Sequence, residues 1–146
     1  MRIKCCATYV VREVLGEEPN DFSGRLAAQK LIYLIQKVLG INLGYSFMWF
    51  SRGPYSKALA KDLRGCEEGV KCLGDDELRK ARELISRLRG SGVPLTKALE
   101  IAASYLMLRD EVFPKPEDPV KELLERKPFI KDEEVNAVLD VLSPFL

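Results

Sequence analysis

The sequence predicts a mainly α-helical single domain: a bundle of about seven helices around a buried central helix, with a minor β element near residues 45–50. Three observations carry this prediction. Apolar residues recur every three to four positions over most of the chain. One stretch, Leu31-Ile32-Tyr33-Leu34-Ile35, is apolar on every face, as a helix enclosed by others must be. Only once does the period change to two, at Tyr45, Phe47 and Trp49. At 146 residues the chain has the length of one domain, and with 47% hydrophobic residues it has the material for a core without a metal or disulfide.

The elements follow in order. Ile3, Cys6, Val10 and Val14 predict a first helix over 2–15, closed by Gly16, which suits a left-handed cap. Ser23 is the expected N-cap of the central helix over 24–39, ended by Gly40. The aromatic alternation at 45–50 predicts a strand, and Arg52-Gly53-Pro54-Tyr55-Ser56 a turn. Ser56 is positioned to cap a short third helix to Arg64 that buries Leu59, Ala60 and Leu63. Residues 65–74, punctuated by Gly65, Gly69 and Gly74, read as a loop or small hairpin. Asp75 or Asp76 opens a fourth helix, which stops at Gly90; a fifth spans about 95–109. The prolines at 114 and 116 exclude helix, Asp118-Pro119 reads as cap and first helical residue of a sixth helix to 126, and a seventh runs from Asp132 to Pro144.

Composition excludes several functions. Net charge is +1, so no global field attracts nucleic acid or anionic lipid. No segment is long and apolar enough to span a bilayer, and no signal peptide is apparent; a cytoplasmic location is the expectation. Histidine is absent, which removes Ser–His and Cys–His pairs and imidazole metal ligands. No phosphate-binding loop, dinucleotide fingerprint or calcium loop is present. The acidic pairs Glu17-Glu18, Glu67-Glu68, Asp75-Asp76 and Glu133-Glu134 read as loop solvation and helix-start charges. Neither a cofactor, a metal nor catalysis is therefore expected.

Amides are scarce, limited to Asn20, Asn42, Asn136, Gln29 and Gln36, while Lys, Arg and Glu abound. That balance is the one expected of a thermophile protein. It bears on Cys5, Cys6, Cys66 and Cys72. In a mesophile cytosol these read as buried thiols, but intracellular disulfides do form in hyperthermophiles. A Cys66–Cys72 bridge is then the expected pairing, with Gly69 in the intervening segment to allow a turn. A zinc site from all four is disfavoured, because their spacing is not that of a zinc knuckle.

The most unusual stretch is Tyr45 to Arg64. On the helix from Ser56, Lys57, Lys61 and Arg64 fall at i, i+4 and i+7 and share one face opposite Leu59 and Leu63, with Arg52 and Tyr55 in the preceding turn. One reading is a solvated basic face over a packed strand. The sharper one is a recognition surface of Arg52, Tyr55, Lys57, Lys61 and Arg64 for an acidic protein or, alternatively, for nucleic-acid phosphates. A helix-turn-helix is a poor match, because a strand precedes the helix and a glycine-rich loop follows it.

The segments Gln29-Lys30-Leu31-Ile32-Tyr33, Leu43-Gly44-Tyr45-Ser46-Phe47 and Arg52-Gly53-Pro54-Tyr55-Ser56, with Leu59, Asp62 and Leu63, resemble small archaeal and bacterial proteins of the YwgA-like type. More distantly they are similar to the Panacea antitoxin domain, which shares the Gln-Lys-Leu-x-Tyr helix and a Gly-Pro turn. The pattern covers about residues 25–64, and the matching positions are Gln29, Lys30, Tyr33, Gly53, Pro54 and Tyr55. The Lys127-Pro128-Phe129 turn is similar more weakly. The resemblance implies a mainly helical fold and, through the Panacea domain, neutralisation of a toxin by direct binding. The expected function is that of a non-enzymatic protein-interaction or regulatory module; the alternative is a nucleic-acid-binding regulator using the Arg52–Arg64 face.

Overall fold

The computed structural model describes residues 3–51 and 53–146. It is mainly helical. In chain order the elements are α1 (Cys6–Leu15), α2 (Phe22–Leu39), β1 (Met48–Phe50), β2 (Gly53–Tyr55), α3 (Lys57–Gly65), α4 (Asp75–Arg89), α5 (Leu95–Asp110), α6 (Pro119–Arg126) and α7 (Asp132–Leu142), followed by a 3-10 turn, Ser143–Phe145.

The expected central helix is central. Every residue of α2 from Ala28 to Ile35 is buried. It shares that place with α5, whose Ala98, Leu99, Ile101, Ala102, Ala103, Leu106, Met107 and Leu108 are all buried. The two helices pack along one another; α1 and α3 pack on α2, while α6 and α7 pack on α5. α4 closes the bundle between α1 and α7. No helix among the described residues is long and apolar enough to cross a membrane.

Several boundaries differ from the expectation, each for a local reason. α1 begins at Cys6 because Cys5 adopts a left-handed conformation (φ 70°) that helix cannot continue through; residue 2, where the helix was expected to begin, lies outside the described residues. α2 starts at Phe22, capped by Asp21, whose Oδ1 accepts from Gly24 N at 2.6 Å. A carboxylate is the stronger acceptor at the positive end of a helix, so Asp21 displaces the expected Ser23. Gly74, not an aspartate, precedes α4; Glu77 Oε1 turns back to accept from its N–H at 3.0 Å. Ser56 caps α3 as expected, its hydroxyl accepting from Leu59 N, and Asp118 caps α6.

The β element is shorter and differently paired than the aromatic alternation suggests. Only Met48–Phe50 is strand, and its partner is the supposed turn: Met48 pairs with Tyr55, Trp49 with Pro54 and Phe50 with Gly53, antiparallel. Residues 43–45 are held instead by the Gln36 side chain, whose Oε1 accepts from Leu43 N and Tyr45 N, both at 3.1 Å, and whose Nε2 donates to Tyr45 O at 2.9 Å. A side-chain amide thus replaces a strand partner. Tyr45 is buried, Phe47 and Trp49 are half-buried, and Met48 and Phe50 are exposed.

The cysteine pairing corrects the expectation. Cys66 does not bond Cys72. Cys5 is joined to Cys66 and Cys6 to Cys72. The intervening segment does not fold back on itself but lies across the first turn of α1. Val70 N donates to Cys5 O at 3.1 Å, and Gly69 approaches α1 so closely that a Cβ there would fall 2.5 Å from Tyr9 Cα. Gly69 serves this close approach rather than a turn. The adjacent Cys5 and Cys6 therefore each meet one end of the segment.

Candidate functional site

The β1–β2 hairpin and α3 form one unit, fixed to the bundle by polar contacts. From α2, the Gln29 amide clasps the backbone of Ser56: Nε2 donates to Ser56 O at 2.9 Å and Oε1 accepts from Ser56 N at 2.8 Å. Both residues are buried. Gln36 stands seven residues on, hence on the same face of α2 two turns later, and holds residues 43–45 in the same way. Two of the chain's five amide side chains thus fasten the whole 43–56 segment to the central helix.

The turn between the strands needs its glycine. Gly53 has φ +93°, and a Cβ there would lie 2.6 Å from Ser104 Oγ on α5. Pro54 is buried beside it. Lys30 is 4% exposed, with its Cε 3.9 Å from where that Cβ would be. On the hairpin, the Tyr55 ring meets Phe50 edge-on at 5.3 Å between centroids, and Trp49 lies under Arg126 at 5.4 Å and Lys127 at 6.0 Å.

These contacts settle which way α3 faces. Its one acid, Asp62, is buried and accepts from Tyr45 Oη at 2.6 Å. Its cations Lys57, Lys61 and Arg64 are exposed on the opposite side. Together with the half-buried Tyr55 they line a shallow open cleft of about 380 Å³. Among the described residues none of the three cations forms an ion pair. The structure therefore brings Tyr55, Lys57, Lys61 and Arg64 together. Arg52, expected on the same surface, lies outside the described residues.

Of the positions that carry the resemblance, only Tyr55 lies on that surface. Gln29, Lys30, Gly53 and Pro54 lie beneath it, holding the hairpin to α2 and α5. Tyr33 points to the far end of α5, where its hydroxyl donates to the Glu111 carboxylate. Burial raises the Tyr33 pKa above that of an ordinary phenol, and the Glu111 acceptor raises it further. Beside it, Asp110 is held down to about 2 by the Arg109 guanidinium and then by Lys37, whose Nζ is 3.0 Å away. This cluster ties the C-terminal ends of α2 and α5 together.

One buried charge escaped the sequence reading. Lys127 is 3% exposed; its Nζ donates to Glu100 Oε2 at 2.9 Å and lies 3.4 Å from Ser51 O. It holds the hairpin against α5 from below. A lysine beside a proline in a loop gives no periodic signal of burial, and only the weaker turn resemblance touched it. Nearby, Lys30, Lys97, Glu100 and Phe129 line a cleft of about 250 Å³ between α2 and α5.

The four cysteines are all in disulfides. Among the described residues no three His, Cys, Asp or Glu side chains are grouped to hold a metal ion. Comparison of the chain with known protein families, with curated proteins and with solved structures finds no match. What the surface does must therefore be argued from its chemistry.

Proposed function

We propose that this protein is a regulatory binding module without catalysis of its own, which engages an acidic surface of a partner protein through Tyr55, Lys57, Lys61 and Arg64. One observation carries the reading: α3 turns its only acid inward onto Tyr45 and leaves three cations outward on one face, without ion pairs among the described residues. A solvated helix ordinarily intersperses both signs, and interspersed charges neutralise each other at the surface. Here buried polar contacts fasten the backbone that leads into α3, so docking orders side chains and not the main chain beneath them. Tyr55, braced by Phe50, supplies an amphipathic ring at the edge of the cleft. The resemblance to the Panacea domain gives the partner a concrete form, a toxin neutralised by direct contact.

The alternative, nucleic-acid phosphates, is less favoured by the same geometry. Lys57 to Arg64 spans about 10 Å of helix, and three cations neutralise at most about three phosphates, too few to hold a duplex tightly at physiological salt. The amide-poor composition also supports a source among thermophilic prokaryotes, archaea included, and in a hyperthermophile the two disulfides are compatible with residence in the cytoplasm.

The test is co-purification from the source organism with wild-type chain and a Lys57→Glu/Lys61→Glu variant. Both side chains are exposed, so the variant should melt as the wild type does. The partner should be a protein, and the variant should lose it. Partner retention by a folded variant overturns the assignment of this face, and recovery of nucleic acid in place of protein overturns the partner class.

A further inference from the structure

The two disulfides join the same segments, yet their four sulfurs sit in unlike surroundings. Cys72 is half-buried and, with the 3%-exposed Cys6, lines a cleft of about 220 Å³ between the start of α1, the loop after α2 and the start of α4. Cys6 is the first residue of the ten-residue α1. In the other bridge Cys5 is half-buried, whereas Cys66 is 8% exposed and caps the C-terminal end of α3.

We propose that Cys6–Cys72 is a thiol-exchange site for low-molecular-weight thiols, and that Cys5–Cys66 is the inert bond of the pair. A thiolate entering the cleft attacks Sγ of Cys72, the less buried residue of the bridge. The bond to Cys6 breaks, its electron pair leaves with Cys6 as thiolate, and the attacking sulfur remains on Cys72 as a mixed disulfide. A second thiolate then attacks the outer sulfur of that mixed disulfide, releasing a small-molecule disulfide and the Cys72 thiolate, which takes a proton from water. One protein disulfide is reduced and two small thiols are oxidised.

The fold favours this bond through its leaving group. A thiolate at Cys6 stands at the first position of α1, where the positive end of the helix stabilises it. A better-stabilised thiolate leaves faster. At the other bridge, attack at Cys5, the less buried residue, must expel Cys66 as thiolate against the carbonyl end of α3, which disfavours negative charge. Attack on Cys66 itself, which would expel Cys5, is blocked by burial.

The consequence is local. With Cys6–Cys72 open, Cys5–Cys66 and the Val70–Cys5 hydrogen bond still hold α3 and the 66–70 segment to α1. Only the Cys72–Gly74 connection into α4 is released. Thiol exchange would therefore loosen the entry to α4 while the cationic face of α3 keeps its anchor.

The experiment exposes native protein to L-cysteine, quenches with N-ethylmaleimide over time and maps the peptides. Cysteine adduct at Cys72 and maleimide at Cys6 should appear about tenfold or more faster than any label at Cys5 or Cys66. Equal or faster labelling of Cys5 and Cys66, or an adduct on Cys6 in place of Cys72, overturns the proposal. A parallel reaction in guanidinium chloride separates fold from local sequence: the rate difference should vanish when the helix ends and cleft are gone. A difference that persists in denaturant overturns the role assigned to the fold.

Discussion

Gln29 is fixed by two hydrogen bonds to the backbone of Ser56, whose C=O also accepts from Ala60 N at 3.0 Å. Replacing it with alanine takes this acceptor from the buried Ser56 N–H, and such a group costs about 1–3 kcal/mol, while the C=O keeps its bond from Ala60. Gln29→Ala should therefore destabilise by about 2 kcal/mol in urea unfolding, several times the effect of an exposed substitution such as Lys61→Ala. Asp110 makes a different kind of prediction, in pH. Its folded pKa, about 2, lies below the ordinary 3.8, so its contribution is present above about pH 4 and disappears as the pH falls through 2. The melting temperature of Asp110→Asn should lie below wild type at neutral pH, and the gap should close between pH 4 and 2. The sequence made Gln29 visible through its motif but not its role, because a clasp on a residue 27 positions away is a tertiary fact. Lys127 was less visible still: its burial depends on Glu100 and Ser51, and neither lies near it in sequence.

Among the elements, those with strong periodicity and a cap were readable from the chain. α3, α6 and α7 begin where Ser56, Asp118 and Asp132 indicate, because a cap and the first turn are neighbours in sequence. The hairpin was not readable, because two glutamines on α2 compete with strand pairing for residues 43–45 and 56. Its turn gives the sharpest test at this scale. Alanine at Gly53 meets both a left-handed φ and the Ser104 hydroxyl 2.6 Å away. Gly53→Ala should cost about 2 kcal/mol or more. Ser104→Ala alone should be close to neutral, since its buried hydroxyl has no hydrogen-bond partner among the described residues. The double variant should recover part of the Gly53→Ala loss, the part due to the clash, and keep the part due to φ. Strict additivity in denaturant unfolding would place the whole cost in the backbone.

For the whole molecule, the disulfides tie residues 61 and 66 positions apart, and the pairing could not be read from spacing because it depends on α1 lying under the 66–72 segment. In the chain-entropy view the first bridge closes the long loop, worth about 4 kcal/mol, and the second closes only the short ring left between the two bridges, worth about 2 kcal/mol. Either paired replacement, Cys5→Ser/Cys66→Ser or Cys6→Ser/Cys72→Ser, should therefore cost about 2 kcal/mol, and all four together about 6 kcal/mol. Equal steps in chemical unfolding would contradict that nesting. The helical bundle and its spine were legible as a whole because α2 declares itself by being apolar on all sides. The partner of that spine, α5, was read as an ordinary helix because its alanines hide how deeply it is buried. What the bundle presents to the outside is the cationic face of α3, and lysine acetylation footprinting of the purified partner complex tests it most directly. Lys57 and Lys61 should lose their reactivity on binding while the exposed Lys80, Lys115 and Lys121 keep theirs. Unchanged labelling of Lys57 and Lys61 with protection elsewhere would contradict the account.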